Sequence, residues 1–141
     1  MMSKPPRVVV DSDAIIAQTN PKDELHGEAM TISQRLADLN AFLIYPATTI
    51  AESATHMQRV LNSTASAIGT IQYMIEPTVF VAEVNQQTLK SARNYMNPRS
   101  SKKNTIFDAI VATVAEKYDA DAIFSFDKFY KRNGFKLASE L

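Results

Sequence analysis

Four short apolar runs separated by amphipathic stretches constrain this chain more than any other feature. Arg7-Val8-Val9-Val10, Phe42-Leu43-Ile44-Tyr45, Val79 to Val84 and Ala122-Ile123-Phe124-Ser125 are β-branched or aromatic, and each has the length of a buried strand. Strands of this kind alternating with helices require a parallel sheet covered on both faces. The expected fold class is therefore α/β, a three-layer α/β/α arrangement around a central, mostly parallel sheet.

The helices follow from spacing. Leu25, Ala29, Ile32, Leu36 and Leu39 recur at helical intervals across 23–39, with Asp23 and Glu24 expected in the first turn. A short apolar turn is expected between Asp13 and the loop at Asn20-Pro21. After Pro46, Thr49 is expected to cap a helix lined by Ile50, Ala54, Met57 and Leu61, and a second stripe of Ile68, Ile71 and Ile75 runs on until Pro77. Asn85 is placed to cap a helix through Leu89, Ala92 and Met96. A basic loop, 97–104, precedes a last long helix over 105–118.

With 141 residues, 45% of them hydrophobic, the chain can bury a real core, and residues 1–141 read as a single domain. No apolar run approaches the roughly 18 residues of a membrane span, and the start lacks the apolar stretch of a secretory signal. A soluble, cytoplasmic protein is expected. There are no cysteines, which excludes thiolate catalysis and cysteine-bound zinc and leaves carboxylates, two histidines and hydroxyls for any chemistry. Fifteen acids balance fifteen bases, yet their distribution is uneven. Between Glu83 and Asp108 there is no acid, while Lys90, Arg93, Arg99, Lys102 and Lys103 are all positive. Arg99, Lys102 and Lys103 form a candidate phosphate-facing patch, set against the plainer reading of a solvated loop.

In open α/β sheets the functional crevice lies beyond the carboxyl ends of the strands, so the acids that land there matter most. Asp11 and Asp13 follow the first run, Glu52 falls early in the helix after the second, Asp108 opens the last long helix, and Asp127 follows the last run. Converging carboxylates repel one another unless a cation neutralises them. Hard divalent ions such as Mg2+ or Mn2+ take oxygen ligands and suit such a cluster. Two ions about 3.5–4 Å apart activate a water and stabilise the leaving oxygen in phosphodiester cleavage without a histidine or cysteine nucleophile.

Each acid also has a plain structural reading. Thr49-x-x-Glu52 and Thr105-x-x-Asp108 both match a helix-capping pattern, and Asp127 suits a turn. His26 and His56 lack partners at ligand spacing and are assigned no chemistry. Tyr73, Tyr95, Tyr118 and Tyr130 read as core aromatics before they read as base-stacking residues, and Asp119 and Asp121 as turn residues.

At this point the motifs resemble a known family. Val8-Val9-Val10-Asp11-Ser12-Asp13-Ala14 is similar to the first motif of the PIN-domain ribonucleases, and Pro46-Ala47-Thr48-Thr49-Ile50-Ala51-Glu52 to the second. The run Phe107-Asp108-Ala109-Ile110-Val111-Ala112-Thr113-Val114-Ala115, followed by Ala122 to Asp127, resembles the family's Asp-headed alanine-rich helix and its Ser-x-Asp strand end. The resemblance spans nearly the whole chain and is strongest to the VapC-like toxins of toxin–antitoxin pairs. It implies a metal-dependent endoribonuclease in which Asp11, Glu52, Asp108 and Asp127 are the catalytic, Mg2+- or Mn2+-binding quartet. Asp11 and Asp108 are the foremost ligands, with Ser125 and Asp13 in support. RNA as substrate, homodimerisation and inhibition by a separate antitoxin protein are implied in the same way. One departure stands at Phe129, where many relatives carry a second acid.

Three other readings compete. Asp11-Ser12-Asp13 matches the Asp-x-Asp start of haloacid-dehalogenase-like phosphatases, although Ala14 fits that family poorly. An RNA-maturation nuclease would carry the same acids as a toxin. A non-cutting PIN-like scaffold that holds RNA or a partner is the third, and the presence of all four acids argues against it.

Overall fold

Val8, Val9 and Val10 alternate between two apolar layers, and the rest of the architecture follows from that alternation. The computed structural model describes residues 4–99 and 102–141. Its strands are β1 (Arg7–Val10), β2 (Phe42–Pro46), β3 (Phe80–Ala82) and β4 (Ala122–Phe124), in the order β3-β2-β1-β4, and every pairing is parallel. The register sets Val8 beside Leu43 and Ala122, and Val9 beside Ile44 and Ile123.

Successive strand residues point to opposite faces. Val8, Val10, Tyr45, Ala122 and Phe124 pack with helices α1 (Ser12–Thr19), α2 (His26–Asp38), α3 (Ala47–Arg59) and α4 (Thr64–Met74). Val9, Ile44, Ala82 and Ile123 pack with α5 (Gln86–Ala92), α6 (Ile106–Lys117) and the short α7 (Phe129–Arg132). Helices on both faces of a parallel sheet make the three-layer α/β/α fold that the strand pattern predicts.

Several local expectations change. The segment after Asp11 is not a turn but the helix α1, because Asp11 caps it with a side-chain oxygen and Ala14, Ile15 and Ala17 are buried against the sheet. Helix α2 begins at His26, so Asp23 and Glu24 precede it. Asp23 instead folds back to accept a hydrogen bond from Leu25 N at 2.8 Å.

Thr49 does not cap α3. Strand β2 runs through Pro46, which occupies the N-cap position with φ −59° and leads straight into the helix, so Thr49 sits inside the first turn and is buried. Ala54 and Met57 face the core as the spacing predicts.

The isoleucine stripe is the clearest reversal. Helix α4 buries Ala67 and Met74, and Thr70 Oγ1 lies 3.2 Å from Met57 Sδ on α3, which turns Ile68, Ile71 and Ile75 to solvent; Ile75 is 74% exposed. Asn85 does cap α5, with a reciprocal bond from Thr88, but the helix stops at Ala92 in a 3-10 turn, leaving Leu89 and Met96 exposed. Thr105 caps α6 as expected, with Asp108 completing the box.

Candidate active site

Parallel strands deliver the segments that follow them to one edge, and the acids arrive there in turn. Asp11 ends β1 and caps α1; it is only 5% exposed. Its Oδ1 accepts from Ser12 N at 2.7 Å and its Oδ2 from the Tyr130 hydroxyl at 2.6 Å. Asp11 N is itself fixed to Phe124 O at 3.0 Å, which ties it to the end of β4.

Asp13, in the first turn of α1, reaches across to the last strand. Its Oδ2 accepts from Ser125 Oγ at 2.9 Å and from Phe126 N at 2.8 Å, while its Oδ1 is buried with no hydrogen-bond partner among the described residues. Ser125, almost fully buried, also accepts from Asp127 N at 3.1 Å, so one hydroxyl links Asp13 to Asp127.

Asp108 lies in the first turn of α6, where Oδ2 accepts from Thr105 N at 2.8 Å. Asn104 bridges it to Asp127: its amide is 2.9 Å from Asp127 Oδ2 and 3.5 Å from Asp108 Oδ2. The other oxygen of Asp127 accepts from Phe129 N at 2.9 Å, at the start of α7. Glu52 is half-buried on α3, with the side chain of Ser12 close enough to oppose the upward shift of its carboxyl.

The cluster is electrostatically coupled. Burial, then the charge of Asp13, lifts the Asp11 carboxyl to about 8 against the opposing bonds from Tyr130 and Ser12. Asp13 is raised by burial and by Asp127, against the bonds from Phe126, Ser125 and Ala14. Asp108 is raised by burial and by Asp127, and Glu52 by burial with Asp108 and Asp13 behind it. Every one of these acids feels another member of the group. Burial is the first cause of all four shifts, and repulsion by a neighbouring carboxylate adds to each.

Among the described residues, no three acids or histidines form a ready coordination group for a metal ion; the Tyr130 hydroxyl and the Asn104 amide stand between them. The donor chemistry nevertheless fits a hard divalent ion. Five carboxylates share mutual repulsion in a largely buried setting, and Asp13 Oδ1 has no donor of its own.

The structure thus brings together Asp11, Asp13, Glu52, Asp108, Ser125 and Asp127. Sequence reasoning misses Asn104, Tyr130 and Ser12. A tyrosine three residues past Asp127 in an apolar setting needs a partner for its hydroxyl, and that is the signal that points to Tyr130. Asp119 and Asp121 lie at the opposite end of the sheet, where Asp121 Oδ2 accepts from Arg7 N at 2.8 Å. His26 binds the Ala17 carbonyl through Nδ1 at 2.7 Å, a structural role.

Arg99, Lys102 and Lys103 are exposed on the loop that ends at Asn104. Because Asn104 touches two of the acids, chain connectivity keeps Lys102 and Lys103 within two residues of the site. The middle of that loop, Ser100 and Ser101, lies outside the described residues.

Solved structures of similar fold cover nearly all of the chain. VapC20 of Mycobacterium tuberculosis, described as a Sarcin-Ricin loop cleaving toxin, aligns with a TM-score of 0.79 at 19% identity over 91% of this chain and 95% of its own. FitAcB of Neisseria gonorrhoeae gives 0.62 at 15% identity over 95% and 99%. PAE2754 of Pyrobaculum aerophilum gives 0.58 at 17% identity over 96% and 85%. No curated protein sequence matches the chain significantly. The sequence profile of the PIN domain family matches residues 8–136, which takes in every acid of the cluster, and the chain belongs to that family.

Proposed function

We propose that this protein is a divalent-metal-dependent endoribonuclease, and that it acts as the toxin of a toxin–antitoxin pair, with residues 1–141 working as one nuclease domain. The observation that carries the reading is the cluster itself: acids from β1–α1, α3, α6 and the end of β4 meet in one coupled group.

In this reading Asp11, Glu52, Asp108 and Asp127 hold the metal, with Asp11 and Asp108 foremost. Ser125 and Asp13 support the site, since the serine fixes both Asp13 and Asp127. A bound Mg2+ or Mn2+ supplies charge neutralisation and a water acidic enough to attack a phosphodiester. The carboxylates hold and orient that centre. Lys102 and Lys103, within two residues of Asn104, and Arg99 earlier in the sequence hold the RNA backbone by its phosphates.

The toxin assignment rests on the likeness to VapC20, together with motifs that resemble VapC-like toxins. It carries with it a homodimer, an antitoxin protein as partner and action in the cytoplasm. A purified protein should run as a dimer in sedimentation, and a neighbouring reading frame should encode a small protein that binds it. Family membership leaves little room for the phosphatase reading of Asp11 and Asp13.

The deciding experiment is cleavage of a panel of structured and single-stranded RNAs by wild type and Asp108→Asn, each with Mg2+, Mn2+ or EDTA. Cleavage by the wild type that disappears with EDTA and in the variant is the expected result. A variant that cuts at the wild-type rate would remove Asp108 from the quartet. No cleavage by either protein with any metal would favour a scaffold that holds RNA or a partner without cutting.

A further inference from the structure

Tyr130 is completely buried, yet its hydroxyl ends among the acids. Its ring belongs to the core layer that also holds Val9, Ile44 and Ile110, and meets Phe129 edge-on at 5.4 Å between ring centres. A phenylalanine would fill that space equally well. What the oxygen adds is a contact of 2.6 Å to Asp11 Oδ2 and an approach of 3.4 Å to Asp108 Oδ1.

A phenol carries one proton, and the shorter contact claims it for Asp11. Ser12 N holds the other oxygen of Asp11, so donors grip the carboxylate at both ends and prevent it from turning. Asp108 is likewise held at Oδ2 by Thr105 N and faces the phenol with Oδ1. An arginine or lysine here would bring a competing positive charge. A neutral hydroxyl fixes the acids and leaves their charge available.

We infer that Tyr130 is a positioning residue of the acidic site: its hydroxyl, carried on a ring locked in the core, fixes the orientation of the Asp11 carboxylate beside Asp108, where a divalent cation would engage both. This rests on the metallonuclease reading above. Donors that orient metal ligands generally contribute about 10- to 100-fold in affinity.

The test is Mn2+ binding without RNA, read from the electron paramagnetic resonance signal of free Mn2+, for wild type, Tyr130→Phe and Val114→Ala. Melting curves in EDTA verify folding. Tyr130→Phe should bind Mn2+ about 10- to 100-fold more weakly. Val114→Ala, which opens the same core layer further along α6 and removes no donor from the site, should melt lower with Mn2+ affinity unchanged. Wild-type affinity in a folded Tyr130→Phe protein overturns the positioning role and leaves the nuclease reading standing. A wild type that binds no Mn2+ overturns both. Should Tyr130→Phe fail to fold, wild type labelled with 3-fluorotyrosine decides. One of its five tyrosine signals, assigned to position 130 by substituting the other four, should broaden with one equivalent of Mn2+. No broadening of that signal overturns the proposal.

Discussion

Ser125 donates its hydroxyl to Asp13 Oδ2 across 2.9 Å, a bond that joins residues 112 positions apart and ties the first acidic segment to the last. The same oxygen accepts from Asp127 N, so its single proton goes to one acid while a lone pair holds the backbone of the other. Asp13 has no hydrogen-bond partner at its other oxygen among the described residues, and its main donors are this hydroxyl and Phe126 N, with the Ala14 backbone contributing less. Ser125→Ala should therefore cost about 1–3 kcal/mol of unfolding free energy, the range for a buried charged group that loses a donor. Ser125→Thr should retain most of it. Denaturant titration of the three proteins provides the comparison, and equal midpoints would mean that Asp13 finds another donor.

Asp11→Asn and Asp108→Asn should each reduce RNA cleavage by at least about a hundredfold, since each removes a charged oxygen donor from the proposed metal site. Neither should unfold the protein. Asparagine keeps the acceptor that Ser12 N or Thr105 N requires, and it relieves repulsion in the metal-free state. Cleavage rates and melting curves on the same preparations separate the two effects. A variant that loses activity only because it melts below the assay temperature would count against the assignment.

Stability in EDTA should fall as the pH rises. Asp11 stands at about 8 against an ordinary value of 3.8, and Asp13, Glu52 and Asp108 are raised as well, with burial the first cause in each case. A carboxyl raised on folding binds its proton more tightly in the native state. Its contribution is complete below the unfolded value and is lost as pH climbs through the folded one, at about 1.4 kcal/mol per unit for the buried Asp11 and less for the half-exposed Glu52 and Asp108, where solvent screens the effect. The melting temperature should accordingly drop between about pH 4 and about pH 8, and Asp11→Asn should flatten the decline. Added Mn2+ should restore stability at the alkaline end by binding the native state. A melting temperature that rises over this span in EDTA would contradict the direction.

Neutralising Arg99, Lys102 and Lys103 together should weaken RNA binding and flatten its dependence on salt. Each phosphate contact with a single strand contributes about 0.7 to the slope of log affinity against log salt, so the triple variant should lose roughly 2. The measurement is a fluorescence-anisotropy titration at several salt concentrations, using the Asp108→Asn protein to prevent cleavage. An unchanged slope would return the loop to a solvated role.

Strands and the gathering of the acids at one edge are legible in the sequence because both depend on local order: β-branched runs mark the sheet, and position after a strand marks the edge where its following segment falls. What is not legible is which face of a helix wins a partner. Ile68, Ile71 and Ile75 have perfect helical spacing, yet the smaller Ala67 lets α4 sit close to α3 and leaves them outside. Thr49 carries a capping signature, but Pro46 joins strand to helix without the break a cap requires. Tyr130 and Asn104 escape notice for a different reason. Their roles lie in contacts with residues up to 119 positions away; the apolar setting of Tyr130 signals that its hydroxyl needs a partner, but no local pattern says which.

The strand order has a consequence for synthesis. Strand β1 lies between β2 and β4, so the segment that carries Asp11 is flanked on both sides only once residues 122–124 have been made. Contacts this distant in sequence close late. A nascent chain bearing Asp11, Asp13 and Glu52 has neither the hydroxyl of Tyr130 nor the serine that joins Asp13 to Asp127. The acidic cluster is therefore among the last features to assemble, and a growing polypeptide on the ribosome stays without it while most of the protein is being translated.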